Sequence, residues 1–154
     1  MKRFFGILWT PFTALAVFVL CIFAVVYIYK DTNPSVNDLL QDLKSKSFAK
    51  RIKAIYLLGE QHERASNAVE ELIRIMEEDA DEYIRSAAAI SLGKIGDQRA
   101  LKPLQERIEK YSHKKESSHY KACVWALNKL QSKIRAREKA FRDKETTSRH
   151  PSHK

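Results

Sequence analysis

The amino-acid sequence predicts an all-α protein, a short α-solenoid of about three helical hairpins preceded by a single transmembrane helix. Three observations carry this. Residues 4–29 form an uncharged apolar run, the apolar residues beyond it recur at helical spacing in six stretches, and the chain resembles itself at a period in the thirties. Composition agrees with it, since 44% hydrophobic and 31% charged residues exclude wholesale disorder. Four Gly and four Pro leave few turns, which disfavours many short strands. Cys21 and Cys123 alone draw no disulfide framework, so the core must hold the chain.

The first element is the run FFGILWTPFTALAVFVLCIFAVVYIY, bracketed by Lys2-Arg3 and Lys30-Asp31. Its 26 residues span about 39 Å as a helix, more than the roughly 30 Å hydrocarbon core of a bilayer. Trp9, Tyr27 and Tyr29 fall where amphipathic aromatic rings favour the interface. A helix starting at Pro11 still has enough apolar length to cross. A cleaved signal peptide is the rival reading, but cleavage after Ala14-Leu15-Ala16 leaves Val17 to Tyr29 as a greasy new N-terminus. The expectation is therefore an uncleaved single-pass anchor, as in a bacterial inner membrane, with the basic N-terminal stub in the cytoplasm and the rest exported. Domain boundaries follow: an anchor at 1–30, a linker at 31–34, a helical domain at 35–134 and a basic, disordered tail at 135–154.

Beyond Pro34 and the candidate cap Ser35, Val36, Leu39, Leu40 and Leu43 make the first apolar stripe. The second is Phe48, Ile52, Ile55 and Leu58, ending at Gly59. Val69, Leu72, Ile73 and Met76 make the third, and Ile84, Ala88, Leu92 and Ile95 the fourth, closed by Gly96. Asp97 caps a fifth helix carrying Leu101, Leu104, Ile108 and Tyr111, and Cys123, Leu127, Leu130 and Ile134 mark a sixth. No strand-like alternation competes with these.

Arg51, Ala54, Leu58 and Gly59 lie 34 residues before Arg85, Ala88, Leu92 and Gly93, and at an offset of 35 Ala87, Ala88 and Leu92 fall on Ala122, Cys123 and Leu127. A two-helix unit of this length cannot bury its apolar face alone, so units must stack. From Tyr83 to Leu104, with Ala87-Ala88-Ala89, Gly93, Gly96-Asp97 and Pro103, the chain resembles the HEAT repeat, in the short form first described in phycobilin lyases. The resemblance implies that small alanines let helices approach, that the glycines end the second helix, and that an arginine near its start pairs with a loop acid in a ladder. Arg85 has Asp81 one turn before it for that role, whereas Ser47 and Ser117 at the matching places break the ladder in the outer units.

Between Glu60 and Glu82 nine acids face only Arg64 and Arg74, a local net of −7, whereas Lys133 to Lys154 carries +5. Glu77, Glu78, Asp79, Asp81 and Glu82 form an acidic patch, and Lys133, Arg135, Arg137, Lys139, Arg142 and Lys144 a basic end suited to phosphates or anionic headgroups. The function expected is that of a membrane-tethered scaffold holding a protein partner on the surface of its second helices. Candidate contacts are Lys50, Lys53, Tyr56, Glu82, Tyr83, Ser86, Ile90, Lys121 and Trp125, with Trp125 at the place of Ile90. Nucleic-acid or anionic-lipid binding by the basic end, and a small HEAT-repeat enzyme or lyase-like subunit, are the alternatives. Catalytic, cofactor and metal residues are not expected. His62-Glu63 is similar to the iron-holding pairs of the HEAT-repeat enzyme deoxyhypusine hydroxylase, but it occurs once. His119 and Cys123 do not close a four-coordinate site, so Cys123 reads as a core residue.

Overall fold

The computed structural model describes residues 11–32 and 34–149. The chain divides into two compact units, 1–35 and 36–154. The first contains α1 (Pro11–Thr32), opened by proline at the one helical position where its missing N–H costs nothing. Along residues 15–27 its side chains are exposed, including Leu15, Phe18, Leu20, Phe23 and Val26. No helix among the described residues is long and apolar enough to cross a membrane. The stretch of α1 whose side chains are described is thirteen residues, about 20 Å, shorter than a bilayer core. Lys2, Arg3, Trp9 and the rest of the apolar run before Pro11 lie outside the described residues.

The second unit is all-α. It contains α2 (Val36–Leu43), α3 (Phe48–Glu60), α4 (Val69–Glu78), α5 (Glu82–Ile95), α6 (Leu101–Lys110) and α7 (Ser118–Arg149), with 3-10 turns at His62–Ala68 and Gln98–Ala100. The helices pair as hairpins, α2 with α3, α4 with α5 and α6 with α7, and α3, α5 and α7 lie side by side as a second layer. Each apolar stripe of the sequence, Phe48 excepted, turns to the space between the layers. Leu39, Ile55, Leu58, Leu72, Met76, Ile84, Leu92, Leu104 and Leu130 are fully buried there. Burying one such side chain contributes roughly 2 kcal/mol, so no single hairpin is self-sufficient.

The second layer is tight because its contacts are small. A Cβ on Gly93 would lie 2.7 Å from the Ala126 Cα, and one on Gly59 would lie 2.8 Å from the Ser91 Oγ. Ser91 is buried, and its hydroxyl donates to the Ile55 carbonyl across the α3–α5 contact (2.8 Å), which removes the cost of hiding it. Gly59 and Gly93 therefore sit inside α3 and α5 and let neighbours approach. Gly96 terminates α5, with φ +78°, in the left-handed region that suits glycine, and its amide bonds back to Leu92.

The expected tail is not a loose end. α7 runs unbroken from Ser118 to Arg149, so the segment expected to be disordered from 135 is helical as far as 149, and residues 150–154 lie outside the described residues. Two interactions fasten its start. Lys133 Nζ donates to the Lys94 carbonyl, and Arg137 donates to the Gly96 carbonyl (2.7 Å), covering the acceptors that α5 leaves open at its C-terminus. Beyond this hold, Arg, Lys, Glu and Ala have good helix propensity and continue the helix.

Candidate interaction surface

α3, α5 and α7 position the candidate contacts. At the α3–α5 end, Phe48 and Tyr83 lie 6.1 Å apart by ring centroid, and the Tyr56 and Tyr83 hydroxyls are 3.3 Å apart. The Tyr83 hydroxyl and partial burial raise Tyr56 above its ordinary phenol value. Phe48 remains 46% exposed, Tyr83 55% and Trp125 43%, unusually open for large rings on a small body. Lys50, Lys53 and Lys121 are exposed, and Tyr56 and Ile90 are half-buried. Sequence reasoning placed Phe48 in the core stripe, yet it stands at the first position of α3, where the next layer no longer covers it.

Two other candidates change role. Ser86 is buried, its hydroxyl donating to the Glu82 carbonyl one turn back (2.7 Å), so it offers nothing to a partner. Glu82 is exposed but already engaged. It accepts from the Ser118 hydroxyl (2.9 Å) and the His119 amide (3.3 Å), capping the start of α7 from α5. Those bonds hold its carboxyl below the usual range.

The acidic stretch is largely consumed within the fold. Asp81 caps α5 by accepting from the Tyr83 and Ile84 amides and does not pair with Arg85. The acid of the ladder is Asp79, whose side chain is 8% exposed and binds Arg51 of the preceding hairpin at 2.7 Å. Arg85 donates to the Asp79 and Ala80 carbonyls instead. The buried Arg107 continues the series, donating to the Met76 and Glu77 carbonyls at the end of α4. No arginine-acid spacing marks Arg107 in the sequence, because its partners are backbone atoms. Glu71 and Glu78 pair with Arg74, and of the patch Glu77 and Glu78 stay exposed at the end of α4.

At the opposite edge Arg137 binds Glu63 at 2.6 Å across a cleft of about 160 Å³ that Ser66, Gly96 and Asp97 also line. That is smaller than a typical ligand cavity. A neighbouring groove of about 630 Å³ along Glu60, Gln61, His62, Arg64 and Lys133 lacks the apolar walls of a small-molecule site. His62 has a left-handed backbone, and its ring Nδ1 lies 3.1 Å from the Lys94 carbonyl, so the His62-Glu63 pair closes a turn. Among the described residues no group of three or more His, Cys, Asp or Glu is placed to hold a metal ion. His119 and Cys123 are fully buried, with the thiol 3.8 Å from the imidazole Nε2 and Tyr111 edge-on to the ring. Burial drives His119 down to about 4 and Cys123 up to about 12, so both are neutral near pH 7 and neither is a ready nucleophile.

Stacked antiparallel helix pairs with one continuous face of second helices define an α-solenoid, a class built to present an extended surface. The family model for HEAT repeats matches residues 36–117, more than half of the chain. The chain belongs to the HEAT-repeat family, whose members commonly act as protein–protein interaction scaffolds. No curated protein matches it.

Proposed function

We propose that this chain is a single-pass membrane protein whose HEAT-repeat unit acts as an adaptor, holding a protein partner on the α3–α5 part of its second-helix face. The observation that carries the reading is the cluster of Phe48, Tyr56 and Tyr83, three aromatic rings gathered from two helices, with Phe48 and Tyr83 left open and Tyr56 half-buried beneath its hydroxyl contact to Tyr83. Exposed aromatic groups on a rigid helical face are the usual anchors of protein interfaces. Anchoring through residues 4–29 is supported by the absence of any charge in that run and by the apolar character of α1 on every face, which a water-facing helix does not have. The orientation we favour keeps Lys2-Arg3 in the cytoplasm, as in a bacterial inner membrane.

The test is recovery of partners from membranes solubilised in mild detergent, comparing the parent chain with a Phe48→Ser/Tyr83→Ser variant whose helicity is checked by circular dichroism. Loss of the same partner by a folded double variant, on the order of tenfold or more, agrees with the proposal. Undiminished recovery refutes it.

A further inference from the structure

Tyr56, Ile90 and Trp125 occupy the same place in three successive second helices, 34 and 35 residues apart. Gly59 meets Ser91 and Gly93 meets Ala126, which keeps these helices in nearly one register, so the three side chains form a row across the layer. Tyr56 and Ile90 are half-buried and Trp125 is 43% exposed, an apolar row that begins and ends on an aromatic ring. A cation stands at each end. Lys53 lies one turn before Tyr56 and Lys129 one turn after Trp125, and both are exposed. The acids of α3, α5 and α7 before Glu138 are Glu60 and Glu82. Glu60 pairs with Lys94, and Glu82 caps α7. Lys121 pairs with Glu116 and adds no net charge to the row.

We infer that this row takes a segment of the partner in the polyproline II conformation, with apolar residues, prolines among them, at every third position and acids at its two ends. The inference rests on the adaptor reading above and names the chemistry of its partner. Packed helices lie roughly 8–10 Å apart. Polyproline II advances about 9.3 Å in three residues and returns its side chains to the same edge, so one residue meets each helix. A β-strand returns to the same face after two residues, about 6.6 Å, and an α-helix after one turn of about 5.4 Å or two of about 10.8 Å, all outside that range. Proline-rich segments dock on aromatic-lined surfaces and lose little freedom in doing so, because their conformation is formed beforehand. Acids at the two ends of the segment meet Lys53 and Lys129.

The experiment reads the fluorescence anisotropy of a labelled peptide, Pro-Ala-Ala repeated three times between Asp-Glu ends, on the full chain in detergent micelles. Control peptides with the same ends carry proline at every fourth place, or leucine at every seventh in a helical alanine background. The first peptide is expected to bind about tenfold tighter than either control and to weaken about tenfold with Ile90→Ser/Trp125→Ser, whose helicity is checked by circular dichroism. Lys53→Glu/Lys129→Glu, at two exposed positions, weakens it about as much at low salt and has little effect in 0.5 M salt. Equal affinity for a control peptide, or binding that survives either double replacement at low salt, overturns the inference. Tighter binding of a labelled oligothymidylate than of the peptide overturns it in favour of nucleic acid. Absence of peptide binding by a chain whose membrane partner is still lost with Phe48→Ser/Tyr83→Ser overturns the inference alone, whereas undiminished recovery by that variant overturns the adaptor reading beneath it.

Discussion

Gly93→Ala tests the close approach on which the second layer depends. In an exposed helix interior the change stabilises by about 1 kcal/mol, because alanine loses less backbone freedom on folding. Here the added Cβ would meet the Ala126 Cα at 2.7 Å and its Cβ and O at 3.0 Å. Ordinary carbon contacts need about 3.5–4.0 Å, so α5 and α7 must separate by nearly 1 Å over their contact. The first clashing atom is backbone, which no rotamer change relieves. A gap of that size forfeits a quarter to a half of the dispersion energy of the lining atoms, and overpacked cores lose about 1–3 kcal/mol. The packing loss exceeds the propensity gain. The expected net destabilisation is about 1–2 kcal/mol, read as a fall of roughly 4–8 °C in the thermal midpoint of the full chain in detergent. Trp125 on α7 reports it by fluorescence. A midpoint equal to or above that of the parent would refute the proposed contact.

Lowering pH should weaken the fold through His119. Its folded value is about 4 against 6.5 unfolded, so the unfolded chain binds the extra proton first, and stability is full above pH 6.5 and falls steadily toward pH 4. The difference corresponds to about 3 kcal/mol, and urea unfolding of His119→Gln should show a flatter profile across that window. Arg107→Leu strips the donors from two carbonyls at the end of α4 and should cost on the order of 2–3 kcal/mol, whereas an unchanged denaturation midpoint would show the buried guanidinium to be idle. Cys123, buried and with its thiol pushed up to about 12, should resist iodoacetamide at pH 8 until the unit unfolds, as mass mapping of the labelled peptide checks. Early labelling in the folded state contradicts the packing described.

Much of this architecture was legible because periodicity is a property of burial. The six stripes, from Leu39 to Leu130, name most of the core, and the offset between Gly59 and Gly93 marks the repeat, although the sequence reads these glycines as helix ends and the structure uses them for close approach. What escaped depends on three-dimensional neighbours. The sequence points to Asp81, one turn before Arg85, as the ladder acid, whereas the bend before α5 turns Asp79 inward to Arg51 and Asp81 to the helix amides. Ser86 and Phe48 exchanged roles for a similar reason, since the helical spacing gives a direction but not what covers it. The helicity of α7 beyond 135 was hidden because its composition is that of a charged tail, and its fastening through Lys133 and Arg137 is to backbone carbonyls of α5.

The central claim, an adaptor that binds through α3 and α5, is tested most directly by photo-crosslinking in intact membranes. A benzophenone side chain replaces Lys53, Tyr83 or Ile90 in turn, with Lys102 and Glu106 on the exposed face of α6 as controls. The account predicts one discrete protein adduct from the α3 and α5 positions, absent from the α6 positions and lost with Phe48→Ser. Adducts of equal yield from both sets, or only from α6, would contradict it.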